Sequence, residues 1–307
     1  MSLKYPGGVW PVMLTPYTAK GEIDTEALTA LVEWYIANGV KGLFAACQSS
    51  EIYFLTLEEK KLIVETTIKA ARGRVPVIAS GHTSDAISNQ VKELSAMAET
   101  GADAVITITN HFARSGESDD VWIENAEKVI SQLDPAIDLG AYECPAPYKR
   151  LLTPKTMKYM ADSGRFYFLK DTCCDADMIR ERLDVIKGSN LGLYNANSAT
   201  LLESLRDGAA GFSGVMANIH PEVYVWLCDH PDHKNADLVQ AAISTASLIE
   251  RQVYPVNAKY HLREIEKLPI TTFCRTRDDR ELNATAQKEV HMLNELMNDI
   301  YARYCVD

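Results

Sequence analysis

Short, continuous apolar runs alternate along this chain with longer stretches in which apolar positions recur at helical spacing. The runs fall at 9–15, 42–46, 75–80, 104–109, 137–142, 166–170, 191–195 and 211–215. They lack strict alternation, which is the pattern of strands covered on both faces. The stretches between them predict helices. Asp24 can cap the first, which runs to about Asn38, and Thr56-Leu57-Glu58-Glu59 is a capping box for the second. Thr153-Pro154 opens a later one, with threonine at the N-cap and proline at the first helical position.

A weak internal repeat supports this order. Asn38-Gly39-Val40-Lys41-Gly42, Thr100-Gly101-Ala102-Asp103-Ala104 and Asp207-Gly208-Ala209-Ala210-Gly211 each end a helix on glycine and lead into a strand. Glycine suits the left-handed residue just past a helix end. Eight strand–helix units over 1–222 predict an α/β protein, a (β/α)8 TIM barrel. A doubly wound open sheet is the second architecture, but its glycine-rich turn after the first strand is missing. Beyond 222 the pattern contains no strong strand run. Amphipathic helices are expected at 236–252, 256–267 and 282–304, a C-terminal helical extension covering 223–307.

Composition narrows the function. The 307 residues suffice for one large barrel. A net charge of −11 without a basic stripe argues against a nucleic-acid partner. No apolar run approaches the roughly 20 residues that cross a bilayer, and the first residues have no apolar signal core. With the odd set of seven cysteines, Cys47, Cys144, Cys173, Cys174, Cys228, Cys274 and Cys305, this predicts a cytoplasmic protein with reduced thiols used mostly for packing.

Barrels place chemistry at the C-terminal ends of their strands. Here those ends carry Cys47-Gln48-Ser49-Ser50-Glu51, Gly81-His82, Asn110-His111-Phe112, Tyr142-Glu143-Cys144-Pro145, Lys170, Asn195-Ala196-Asn197 and Ser213-Gly214-Val215-Met216-Ala217-Asn218. Lys170 closes the apolar run Phe166-Tyr167-Phe168-Leu169. Lysine is costly to bury, and desolvation lowers its pKa, yielding the free amine that a Schiff-base nucleophile needs. Tyr142 closes the preceding run. Taken alone, Lys170 could equally reach the surface or pair with a carboxylate such as Asp171.

In the order and spacing of these residues the chain resembles the dihydrodipicolinate synthase / N-acetylneuraminate lyase family of class I, Schiff-base lyases, over nearly its whole length. The resemblance rests on Lys170, on Tyr142 with Pro145 three residues later, on Glu51 ending its turn, on the Gly208–Asn218 segment, and on Gly8-Val9-Trp10-Pro11-Val12-Met13-Leu14-Thr15-Pro16. It implies that Lys170 attacks the keto carbon of pyruvate or a related 2-oxo acid and forms an imine, an electron sink for making or breaking a neighbouring carbon–carbon bond. It implies Tyr142 as proton relay and Ser49, with the turn amides, as the group holding the substrate carboxylate. The expected catalytic set is Lys170, Tyr142 and Ser49, and the expected substrate-binding set is Gln48, Ser50, His111, Ser213 and Asn197. Glu51 is expected to brace its turn, and the backbone near Ser213 to face the lysine. No metal and no organic cofactor is implied. The implied partners are the small-molecule 2-oxo acid and further copies of the chain, as a homotetramer built from dimers or a dimer.

The departures bear on the second substrate. The family's turn after the second strand is close to Gly-Thr-Thr-Gly-Glu, and both glycines are absent here. His111 and Phe112 stand where the synthases carry a tyrosine pair, and Pro147 where they carry an arginine. Asn197 and Ser198 replace the acidic residues that sialic-acid lyases use for sugar hydroxyls. A third substrate is therefore preferred, with aldol-type cleavage or condensation, or dehydration of a deoxy-oxo sugar acid, as the reaction. Dihydrodipicolinate synthase with altered relay residues is the alternative within the class. A non-catalytic small-molecule-binding barrel is the alternative outside it. His82 and His111, with Glu51 or Glu143, could mimic the metal site of a class II aldolase, although no ligand-spacing signature accompanies them. Glu143 reads as structural, pointing out of the barrel; facing in, it would repel an anionic tail or act as an acid–base group. Arg275, Arg277 and Arg280, interleaved with Asp278 and Asp279, read as a solvated, self-paired loop.

Overall fold

The computed structural model describes residues 3–305. Eight parallel strands form one sheet: β1 (Gly8–Val9), β2 (Leu43–Ala45), β3 (Val77–Ser80), β4 (Ala104–Ile108), β5 (Leu139–Tyr142), β6 (Phe166–Asp171), β7 (Gly192–Asn195) and β8 (Gly211–Phe212). Each strand from β2 to β8 pairs with the next, and β8 pairs with β1. A bridge between Val12 and Phe44 closes the ring, with the Met13 amide donating to the Phe44 carbonyl at 3.0 Å. The helices α1 (Thr25–Ala37), α2 (Leu57–Ala71), α3 (Ile87–Glu99), α4 (Asp119–Ile130), α5 (Pro154–Ser163), α6 (Ala176–Ile186), α7 (Leu201–Arg206) and α8 (Pro221–Asp229) follow the strands in turn. This is the (β/α)8 order.

Local chemistry sets the element boundaries. The Asp24 side chain accepts from the Ala27 amide and starts α1, Thr56 and Glu59 cap α2 reciprocally, and Thr153 caps α5 with Pro154 behind it. The outer strands are shorter than their apolar runs suggest. β1 stops at Val9 because Pro11 has no N–H to continue the ladder, and β8 stops at Phe212 because the chain turns into a 3-10 helix at Val215.

Two apolar layers result. Phe44, Ile78, Ile106, Phe168 and Tyr194 point into the barrel, where Phe168 and Tyr194 stack with ring centroids 4.0 Å apart. Their strand neighbours Leu43, Val77, Val105, Leu169 and Leu193 point outward beneath the helices. Period-two alternation then dictates the strand ends. Tyr142 and Lys170 are register partners that share the interior face with Phe168, so Glu143 and Asp171 are turned outward.

The expected boundary at 222 falls inside α8, which packs against β1 and β8. Beyond it lie α9 (Ala236–Ala246), α10 (Val256–Glu264) and α11 (Ala284–Tyr304). The expected helix 236–252 is broken. Its last part tightens into a 3-10 helix, Ser247–Arg251, and Val253 takes a positive φ of 52° that no helix can continue through. Likewise α10 ends before 267, where Lys267 has φ 59°. These breaks bend the chain back over the C-terminal mouth of the barrel. No helix among the described residues is long and apolar enough to cross a membrane.

Candidate active site

Lys170 lies at the end of β6 with 4 % of its surface exposed, and its Nζ is 4.1 Å from the centre of the Tyr142 ring. Among the described residues the amine has no hydrogen-bond or ion-pair partner. Burial pushes its pKa down from the ordinary lysine value. Asp171 is not its partner: that carboxylate, together with Glu143, is paired with Arg182 of α6 on the outer face of the sheet. Glu143 also accepts from the Leu152 amide at 2.6 Å and the Thr172 amide at 3.1 Å. The C-terminal ends of β5 and β6 are thus anchored from outside by one buried arginine, while Tyr142 and Lys170 face in.

The amine opens into a cavity of about 360 Å³. Gln48, Ser49 and Glu51 form one side and Tyr142, Pro145 and Thr172 another. The Tyr142 hydroxyl donates to Gln48 Oε1 at 3.1 Å, and Cys144 Sγ donates to the same oxygen at 3.4 Å. Burial raises the Tyr142 phenol well above its usual pKa, so it is a proton donor at rest. Residues Gln48–Ser50 make a 3-10 turn after Cys47. The Gln48 and Ser49 amides at its start have no acceptor among the described residues. Gly214 must stay glycine: a Cβ there would lie 2.3 Å from Phe212 Cζ and 2.4 Å from the Ala196 carbonyl oxygen. That close approach lets Ala196, Gly214 and Val215 form the wall opposite the turn.

Several expected binding residues have other duties. The Ser50 hydroxyl donates to the Met13 carbonyl at 2.6 Å and accepts from the Cys47 amide, so it holds the turn and does not line the cavity. His111 lies off the cavity wall, with Nδ1 3.0 Å from Asp85 and Nε2 3.3 Å from the Tyr53 hydroxyl. Asn197 points back to Thr200, and only its neighbour Ala196 reaches the cavity. Ser213 is fully buried with its Oγ unpartnered, and the lining there comes from the next two residues.

His82 and His111 do lie side by side, ring centroids 5.5 Å apart, but Glu51 and Glu143 are each tied to a cation elsewhere. Among the described residues no group of three or more His, Cys, Asp or Glu side chains is arranged to hold a metal.

The rest of the wall comes from the C-terminal extension. Glu250, Tyr254, Pro255, Thr276 and Arg277 line the same cavity. Glu51 ties this segment to the barrel: its carboxylate pairs with buried Lys259 at 3.1 Å and accepts from the Arg275 and Thr276 amides at 2.6 and 2.8 Å. Arg275 reaches back to Glu59 at the start of α2 and to the Gly21 and Phe54 carbonyls. The solvated, self-paired loop expected for 275–280 is therefore corrected for Arg275 alone; it holds for Arg280, which forks onto Asp278, and for Arg277, which is exposed and pairs with Glu281 at 3.7 Å while also edging the cavity. Glu250 and Tyr254 escaped the sequence reading because helical periodicity ran through the first. The gap between the helices expected at 236–252 and 256–267 was the available signal for the second.

The family model of the Dihydrodipicolinate synthetase family matches residues 5–301. The chain belongs to that family. Among curated members of the dihydrodipicolinate synthetase family, 4-hydroxy-tetrahydrodipicolinate synthase of Clostridium perfringens is 26% identical over 267 residues, covering 84% of this chain and 88% of that protein. The synthase of Methanocaldococcus jannaschii is 30% identical over 227 residues, covering 73% and 74%. Among solved structures of the family, the E. coli K12 prophage protein YagE in complex with pyruvate superposes with a TM-score of 0.85 at 22% identity, covering 95% of this chain and 98% of that one. The Acinetobacter baumannii synthase complexed with pyruvate gives 0.84 at 22% identity over 95% and 98%. These last two likenesses bear on the fold.

Proposed function

We propose that this protein is a class I lyase that forms an imine between Lys170 and pyruvate or a related 2-oxo acid, then makes or breaks the adjacent carbon–carbon bond. The Lys170 amine carries this reading. It is unpaired, desolvated and open to a cavity, and a free amine in that setting is a nucleophile toward a carbonyl carbon. Water lost in imine formation takes the keto oxygen, and Tyr142, protonated at rest and beside the amine, is the relay for that proton traffic. The unpartnered Gln48 and Ser49 amides and the Ser49 hydroxyl offer donors for the carboxylate without adding a competing cation. Family membership and the pyruvate complexes of two structural neighbours support the same ligand class. The resemblance further implies a homotetramer or dimer.

A second reading, 4-hydroxy-tetrahydrodipicolinate synthase, is favoured by the names of the matched relatives. Phe112 counts against it: it is buried against Trp122 and cannot pass a proton where the synthases have a tyrosine. Borohydride trapping tests the proposal. Incubation with pyruvate and reduction should add one pyruvate-derived mass to Lys170, found by peptide mapping, and Lys170→Ala should carry none. Failure of every 2-oxo acid to label Lys170 would overturn it in favour of a binding barrel.

A further inference from the structure

The mechanism above leaves a half-buried carboxylate in the cavity wall, that of Glu250, without work. Glu250 sits in the cavity wall opposite the barrel strands, on the 3-10 turn that ends α9. Among the described residues its carboxylate has no hydrogen-bond or ion-pair partner, although Glu51, Glu143 and Asp171 nearby are all fully engaged. Burial lifts its pKa to about 7, and the charges of Lys170 and Arg251 pull against that rise. A carboxylate in a cavity wall with no protein donor is served only by solvent there, and is available to a ligand that brings a donor of its own.

The cavity has room for such a ligand. At about 360 Å³ it is in the range of pockets that enclose a whole small molecule, and a three-carbon acid on Lys170 and Ser49 fills only part of it. The remainder extends toward Glu250, Tyr254 and Arg277. Charge narrows what can occupy it. An anionic group against Glu250 meets like charge. A cationic group meets Lys170 and Arg277. A neutral hydroxyl satisfies the carboxylate without either penalty.

We propose that Glu250 is a substrate-binding residue that accepts a hydrogen bond from a hydroxyl on the tail of the 2-oxo acid, so that the enzyme selects hydroxylated 2-oxo acids over simple ones. This rests on the Lys170 imine reading. It places the specificity of the site in the C-terminal extension rather than on the strand ends.

The test compares half-saturation for borohydride labelling of Lys170 by pyruvate and by a hydroxylated 2-oxo acid, a 3-deoxy-2-oxo sugar acid, counting adducts whether or not the tail is retained. Wild type should favour the hydroxylated acid. Glu250→Leu should raise its half-saturation at least about ten-fold while leaving pyruvate within about two-fold. Glu250→Gln, which keeps a neutral acceptor, should fall between. An equal shift for both ligands in both variants means a structural role and overturns the proposal, as does a wild type without preference. If wild type labels with neither acid, the imine reading itself has failed and this inference falls with it. That result is distinct because it needs no variant.

Discussion

At the scale of single residues, Lys170 and Glu250 show how one cavity shifts two groups in opposite directions. Burial disfavours charge on both, so the amine is pushed down and the carboxyl up toward neutrality. The consequence for stability has a definite sign. Glu250 ionises near its ordinary value of 4.5 when the chain is unfolded, and near 7 when folded. Below pH 4.5 it is protonated in both states and costs nothing. As pH rises through 7 the folded protein must carry the buried charge, facing Lys170, Arg251, Tyr224 and Tyr254, and stability is lost. Glu250→Gln removes that loss. Urea unfolding between pH 5 and pH 8.5 should show the variant gaining on wild type with rising pH, by about 1–2 kcal/mol at the alkaline end. A constant difference across that range would contradict the assignment.

At the scale of elements, the decisive device is the alternation of β5 and β6. Because side chains on a strand point to opposite faces in turn, bringing Tyr142 and Lys170 inward forces Glu143 and Asp171 outward beneath α6. Arg182 meets them there, with Glu143 Oε1 2.6 Å from one of its nitrogens and Asp171 on the other. Removing one member of a buried ionic cluster leaves charge without compensation, which costs about 3–5 kcal/mol. Arg182→Met should lower the urea midpoint accordingly, and adding Glu143→Gln and Asp171→Asn should restore part of it. This pairing also explains what was legible in the chain. The strands, the caps at Asp24, Thr56 and Thr153, the outward turn of Glu143 and the inward turn of Tyr142 all follow from local pattern. The partner of Glu143 does not, since Arg182 lies 39 positions away on another element. Ser50 shows the same limit: a hydroxyl in a turn reads as a ligand group, and only the fold reveals Met13 as its acceptor.

At the scale of the whole molecule, the site is a barrel floor covered by a wall from the extension. The floor was readable because barrels put chemistry at strand ends. The wall was not. Arg275 looked self-paired because its nearest opposite charges in sequence are Asp278 and Asp279, whereas it grips Glu59 some 216 positions away, and Glu51 accepts from the Thr276 amide beside it. Arg275→Ala should free this segment while leaving the barrel intact. Limited trypsin digestion should then cut after Arg277 or Arg280 several-fold faster than in wild type, with unchanged far-ultraviolet circular dichroism. Equal cutting rates would show that Glu51 alone suffices to hold the wall.

The bond from the Thr276 amide to Glu51 spans 225 positions of chain. Ribosomes release the N-terminal end first, so Lys170 is made before Glu250, Tyr254, Thr276 and Arg277 of the wall that covers it. A chain that ended before Glu250 would lack the residues that form this wall, so the cavity beside Lys170 is complete only once the C-terminal extension has been made.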